Sequence, residues 1–425
     1  MRLVAGAFAS TLLVVGLEGT LAVTEASMPS IAGTPACAQA RPGQAVCLAR
    51  YMAARPQDAG GLLGGLLGSG GLLGGLGLGS LLGTAPAPAP APPPTQTPSG
   101  PQHGFTAADL RSAYGIAGIG AAGRIVAVVD AMDDPNAESD LGVYRAAMGL
   151  TPCTTANGCF RKVDASGGTS YPAPDAGWSK ETSLDLEMVS AACSDCRIVL
   201  VEAATQDIPV LGAAVNYAAS IPGVAAMSLS WGVPEQAQQV GWDQYFNHPG
   251  IPIAAAAGDS GFGTVFPSAS PYVIAVGGTT LTRDSSARGW SETAWNGTGS
   301  GCSSYEPKPA WQTASGCARR ATADIAVDAD PATGVAVYDS YQAAGWLQAG
   351  GTSAGAPFIA ALYALAGNAA ANAAPGPYLY SHTAAIHDIV SGGNGFLCLG
   401  NPMCTARPGW DGPTGLGSPS GLAAF

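Results

Sequence analysis

The chain has 425 residues, 47% of them hydrophobic and only 11% charged, and a net charge of −12. That length and apolar content allow one large or two ordinary domains with a substantial core, while the charge falls well below the roughly 25% of an average soluble domain. The acidic balance, with 17 Lys and Arg and no basic run, excludes a nucleic-acid binder. In acid, so few cations would leave little self-repulsion, which suits work at low pH.

In chain order, Arg2 precedes a mostly apolar run over 3–17 and small residues follow, so 1–27 reads as a secretory signal. Residues 28–103 read as a low-complexity arm and linker. Within it, 60–83 holds twelve Gly, ten Leu and two Ser. An uncharged segment of that length resembles a membrane helix. Half of it is glycine, however, at roughly 1 kcal/mol per residue against helix relative to alanine. A flexible segment is the favoured reading, and membrane association of this stretch the lesser one. APAPAPAPPP at 85–94 is an extended spacer.

Beyond residue 104, short apolar runs alternate with helical patterns. RIVAVVD (124–130), RIVLVE (197–202), VAAMSLS (224–230) and IPIAAAA (251–257) predict buried strands, and 138–148 and 210–219 predict helices. Continuous apolar strands alternating with helices imply a mostly parallel sheet with helices on both faces, hence one α/β domain over 104–425.

Ten cysteines fall into near-neighbour pairs: Cys37 with Cys47, Cys153 with Cys159, Cys193 with Cys196, Cys302 with Cys317, and Cys398 with Cys404. An even count in short loops fits disulfides made in an oxidising compartment, though the connectivity stays open. Cys193 and Cys196 also form a CxxC, but no second CxxC and only four histidines accompany it, which favours a disulfide over a zinc or redox site.

GGTSAGAP at 350–357 leads into a helical run over 358–366. A serine in a Gly-rich turn at a helix N-terminus has an exposed hydroxyl and backbone N–H groups aimed at incipient negative charge. Ser353 therefore reads as a nucleophile or as a plain helix cap. The same residues spell the Gly-x-Ser-x-Gly elbow of α/β-hydrolases, which needs an acid and then a histidine downstream. No Asp or Glu lies between 354 and 387, so a neutral esterase is the weaker reading. Subtilisin-like enzymes need a histidine base, and none of His103, His248, His382 and His387 stands in such a context.

Glu181 and Asp185, in WSKETSLDLEM, are four apart and share one helix face. Neighbouring carboxylates share a proton, and such a pair works as a base in acid, where histidine is protonated. The competing reading is an acidic first helical turn. Asp259 lies in AGDSG at the end of IPIAAAA, where open α/β sheets place their sites. A protonated carboxyl there would donate to an oxyanion; a common Asp-Ser-Gly turn is the alternative.

In order, GFTAADLRSAYGI (104–116), Glu181-x-x-x-Asp185, SLSWG (228–232), GDSG (258–261) and GGTSAGAP together resemble the sedolisin family of serine-carboxyl peptidases over 104–422. The resemblance implies a subtilisin-like fold and a secreted endopeptidase of acidic optimum, monomeric and acting on polypeptides. It makes Ser353 the nucleophile, Glu181 the base and Asp185 its orienting partner. Protonated Asp259 and the Ser353 N–H form the oxyanion hole, while Ser230, Trp231 and Gly232 pair with substrate backbone. Asp130, ending the first strand, joins the carboxylates or merely starts a loop. The family's structural calcium site maps onto Asp388 and Asp411 with the carbonyls of Ile389, Arg407 and Gly409, a hard oxygen cage of the kind calcium requires. Arg407 stands where the family more often has glycine. Family members usually carry a long folded prodomain, and about 28–59 is too short for one. The rival of another class is a catalytically inactive secreted binding protein with a peptidase fold.

Overall fold

The apolar runs are strands because they are continuous, with β-branched residues prominent in 124–130 and 197–202, and both their faces are buried. In the computed structural model the described residues are 11–12, 24–25, 30–52, 101, 103–117, 121, 123–367, 375–395, 398 and 400–425. Most of the signal-like run, the Gly/Leu segment and the Pro/Ala spacer lie outside them. No described helix is long and apolar enough to cross a membrane.

After a short antiparallel pairing of Thr11–Leu12 with Thr24–Glu25, three short strands follow: β1 (Thr34–Pro35), β2 (Val46–Cys47) and β3 (Arg50–Tyr51). Helix α1 (Ala107–Ala113) starts on a capping box in which Thr106 accepts from the Asp109 N–H and Asp109 from the Thr106 N–H. The central layer then builds up as β4 (Ile125–Ala131), α2 (Ala137–Ala147), β5 (Phe160–Asp164), α3 (Ala176–Ala192), β6 (Arg197–Ala203), α4 (Ile208–Ser220) and β7 (Val224–Leu229). It continues through β8 (Trp231–Pro234), β9 (Ile253–Ala256), β10 (Val265–Phe266), β11 (Ile274–Arg283), β12 (Trp290–Ala294) and β13 (Ile325–Asp328). Strands β14 (Val335–Asp339) and β15 (Gly345–Gly350) lead into α5 (Thr352–Ala366).

The central sheet runs β12-β11-β9-β7-β4-β6-β5, with β13 also on β11. All its pairings are parallel except β11 with β12. The α/β architecture expected from the alternation is therefore present, with the strands within a residue or two of their predicted limits.

Alternation along β4 sorts its side chains between two cores. Val126 and Val128 join Leu184, Met188, Phe358 and Leu362 on the face covered by α3 and α5. Ala127 and Val129 face the other way, onto Ile208, Leu211 and Val215 of α4. Asp130 continues the first series, which turns a carboxyl toward α3. The five disulfides join the near-neighbour pairs expected from the spacing.

One part of the sequence reading needs correcting. Residues 30–52, grouped with a low-complexity arm, are folded onto the α/β domain. Strand β2 pairs with β8, and β3 pairs with β15 and β1.

Candidate active site

Helix α3 starts on Asp175, whose side chain accepts from the N–H groups of Gly177 and Trp178. Glu181 and Asp185 therefore lie in mid-helix, one turn apart and fully buried, and the first turn carries no acid. This excludes the reading of the pair as an acidic helix start. Both face the carboxyl ends of the parallel strands, where Asp130 near the end of β4 and Ser230 just after β7 also sit.

The carboxylates form one cluster. Thr182 Oγ1 donates to Asp130 Oδ2 at 3.2 Å, and Ser230 Oγ donates to Asp185 Oδ1 at 2.7 Å. Burial, then the charge of Asp130, push Glu181 and Asp185 well above the usual carboxylate range. The nearby Ser353 hydroxyl works the other way on Glu181, favouring its charged form. Burial also raises Asp130 to about 7. Asp130 Oδ1 and Asp185 Oδ2 are buried without a hydrogen-bond partner. Such oxygens suit carboxyls that keep a proton.

Ser353 sits in the first turn of α5, fully buried. The residue that caps this helix is Gly351, so Ser353 is not the cap serine that the sequence alone allowed. Its Oγ donates to the Ser230 carbonyl at 3.3 Å. Gly351 has φ 92°, and a Cβ there would lie 2.4 Å from Asp259 Oδ2. Only glycine lets the turn come this close to that carboxyl.

Asp259 follows β9 by three residues and is pinned by one side of its carboxyl. Oδ1 accepts from the Thr352 N–H at 2.8 Å and from Thr352 Oγ1 at 2.9 Å, and Thr352 Oγ1 in turn accepts from the Gly258 N–H at 3.1 Å. Oδ2 is buried with no partner, and burial lifts the carboxyl to about 7. Thr352, which orients Asp259, was not singled out from sequence; its neighbour in the GTS turn was the available signal.

Trp231 is anchored by its indole Nε1, which donates to the Val129 carbonyl at 2.8 Å, leaving its backbone and that of Gly232 to pair with a strand. Away from this cluster, the five residues of the expected cation site lie on two segments, 388–389 and 407–411, which a hydrogen bond joins. Asp388 Oδ2 accepts from the Gly409 N–H at 2.9 Å and Asp411 Oδ2 from the Arg407 N–H at 3.0 Å; Ile389 is buried beside them.

So many buried carboxyls with raised pKa values make an unusual prediction about stability. Each binds its proton more tightly when folded, so its contribution is complete below its unfolded value and is lost as pH rises through the folded one. For Asp130 and Asp259 that window runs from 3.8 to about 7. The melting temperature should fall by roughly 10 °C between pH 4 and pH 8. A calorimetric series showing a rise over that range would contradict this.

No family model matches the chain. Kumamolisin of Bacillus sp. (strain MN-32) is 32% identical over 357 residues, 75% of this chain and 62% of that protein. Sedolisin of Pseudomonas sp. (strain 101) is 39% identical over 177 residues, 37% of this chain and 29% of that protein. The chain thus spans about three-fifths of the first relative's length and under a third of the second's. A solved structure of Pseudomonas sedolisin, a serine-carboxyl proteinase complexed with two molecules of pseudo-iodotyrostatin, superposes with a TM-score of 0.64 at 27% identity, covering 76% of this chain and 96% of that one. With the ordered motifs on a shared fold, these likenesses establish that the chain belongs to the sedolisin family.

Proposed function

We propose that this chain is an exported, acid-active serine-carboxyl endopeptidase that hydrolyses polypeptides through an acyl-enzyme on Ser353. The observation that carries the reading is the convergence of Ser353, Glu181, Asp185 and Asp259 at the carboxyl ends of the parallel strands. None of the four histidines lies on the elements that supply this site.

In this mechanism Ser353 Oγ attacks the substrate carbonyl and its proton passes to Glu181. Asp185, held by Ser230, shares its proton with Glu181 and keeps it oriented. The developing oxyanion is met by the Ser353 N–H at the helix start and by protonated Asp259 Oδ2. Glu181 then returns its proton to the leaving amine, and a water molecule releases the acyl group by the reverse sequence. Trp231 and Gly232 supply a backbone edge for the substrate strand. Export is supported by the signal-like N-terminus and five disulfides. The chain is read as a monomer.

Asp259 separates this mechanism from others. Asp259→Ala should cost roughly 2.7–4 kcal/mol of transition-state stabilisation, the usual loss for one oxyanion donor. Asp259→Asn keeps an acceptor for Thr352 and an N–H donor where the acid proton was. It should retain activity within about ten-fold and lose the decline that Asp259 ionisation imposes above about 7. Equal rates for the alanine variant and the wild type would remove Asp259 from the oxyanion hole.

We read the paired segments of Asp388 and Asp411 as the place of one calcium ion. Both carboxylates accept from N–H groups of the 407–409 turn, and the carbonyls of Ile389, Arg407 and Gly409 would add the further hard oxygens that calcium takes. A bound ion there would tie the C-terminal segment to the domain. Calcium at 100 times its dissociation constant should stabilise the fold by about 2.7 kcal/mol, reversed by a chelator. Asp411→Ala should abolish that response in thermal melts; a calcium-dependent shift persisting in the variant would place the ion elsewhere.

A further inference from the structure

We infer that Val265 sets which side chain the enzyme accepts just before the cut bond, and that the preferred residue there is leucine or an aliphatic residue of similar size. The inference rests on the peptidase reading above and names the substrates of that same site. It starts from the path of a strand through the cleft, which the chain's own residues 46–49 trace. Val46 and Cys47 pair antiparallel with Gly232 and Trp231, the edge assigned to substrate backbone. The Leu48 N–H donates to the Ser230 carbonyl at 3.0 Å, and the Ala49 N–H donates to Glu181 Oε2 at 2.8 Å. A Cβ on Gly351 would be 2.1 Å from Leu48 O and 2.4 Å from Asp259 Oδ2, so the Leu48 carbonyl lies beside the oxygen meant for the oxyanion. Leu48 thus stands where a substrate places the residue whose carbonyl is attacked, and its side chain marks the pocket for that residue.

Two glycines wall this pocket, and Val265 closes the space between them. A Cβ on Gly232 of β8 would lie 3.3 Å from Leu48 Cδ1 and 3.0 Å from Val265 Cγ2. A Cβ on Gly258, two residues beyond β9, would lie 3.4 Å from Val265 Cγ1. One methyl of Val265 therefore reaches toward each wall. The Leu48 side chain is 8% exposed and packs with Ala256 and Ala356, and Val46 and Val265 lie against this group. All these neighbours are aliphatic.

Val265 is held in place from both sides. It pairs with Pro234 in the β8–β10 ladder, and its carbonyl accepts from Ser268 Oγ at 2.9 Å and from the Ala269 N–H at 3.0 Å. Its neighbour Thr264 donates through Oγ1 to Glu235 Oε2 at 2.5 Å. Glu235 also accepts from the Ser304 N–H at 3.0 Å and from Ser303 Oγ. A residue pinned in this way cannot sink to admit a larger side chain without breaking ladder and loop bonds.

Selectivity follows from that fixed depth. A phenylalanine ring reaches further than leucine and would meet the Val265 methyls, and overpacking a fixed apolar site is costly. Glycine would leave the aliphatic walls uncovered, and a charged side chain would lose its water to groups that offer no hydrogen bond. Discrimination by size in an apolar pocket is worth about 10–200-fold. Leucine should therefore exceed both phenylalanine and glycine by about ten-fold or more in kcat/KM.

The test uses the full chain, held near pH 4 until its rate on a denatured protein is steady. It is then assayed on internally quenched peptides that differ only in the residue before the cut bond: leucine, phenylalanine, alanine or glycine. Wild type should favour leucine as above. Val265→Ala, which deepens the pocket, should raise phenylalanine relative to leucine by about ten-fold or more. Val265→Met, which fills it, should move the preference to alanine, and thermal melts show that each variant is folded. Equal use of leucine and phenylalanine by wild type, or ratios that folded variants leave unchanged, would overturn this proposal while digestion of the denatured protein keeps the peptidase reading standing. No cleavage of peptides or protein by wild type would overturn both.

Discussion

Ser353→Ala is expected to lower the turnover of a denatured protein by about 10⁶-fold and to leave the fold as stable as before. The loss follows from chemistry: with no hydroxyl there is no acyl-enzyme, and only the oxyanion donors and substrate binding remain. The unchanged stability follows from structure. Ser353 does not cap α5, since Gly351 does, and its Oγ makes only a long bond to the Ser230 carbonyl beside its interaction with Glu181. Alanine also suits a helix better than serine does. Rate assays and thermal melts of the same preparation check both halves. A variant of normal activity would remove Ser353 as nucleophile, and one that fails to fold would assign it a structural role instead.

Glu181→Gln should cost about 10⁴-fold in kcat, the upper range for loss of a general acid–base group. Glutamine has the same shape, and its amide oxygen can still accept the Ala49 N–H that Glu181 Oε2 now holds. It cannot take a proton from Ser353. Burial and the neighbouring Asp130 charge already disfavour the ionised carboxylate, so the neutral amide removes a cost rather than adding one, and the melting temperature should rise or hold. A parallel measurement of kcat and KM separates this from a binding defect: KM should change little. Undiminished turnover would take the base role from Glu181.

Much of this site was legible in the sequence because it is built from local patterns. The i,i+4 spacing of Glu181 and Asp185 sets them on one helix face wherever the helix goes. GGTSAGAP announces a tight turn into a helix, and IPIAAAA followed by GDSG announces a strand end. The local alternatives for each, a cap, an acidic first turn or a plain turn, could be decided only by structure. Gly351 as the cap, Asp175 as the start of α3 and Thr352 on Asp259 each depend on where a neighbouring element stops or packs.

What could not be read was the arm. AVCLARY at 45–51 is short, mixed in polarity and flanked by segments of low complexity. Its partners Ser230, Trp231 and Ala349 lie far along the chain. A two-residue strand has no signal of its own, because its hydrogen bonds are all made to residues distant in sequence. For Asp130 the sequence left two readings, joining the carboxylates or starting a loop, and the choice depends on β4 alternation turning that carboxyl toward Thr182.

The most direct test of the carboxylate-driven mechanism is the rate of cleavage of a denatured protein from pH 2 to 8, wild type beside Ser353→Ala, with calcium present. The account predicts an acidic optimum that declines toward neutrality as Asp259 ionises near 7, and no cleavage by the variant. Cleavage that stays high at pH 8 would contradict the carboxylate chemistry. Absence of cleavage at every pH, after prolonged incubation in acid, would leave a binding protein on a peptidase fold.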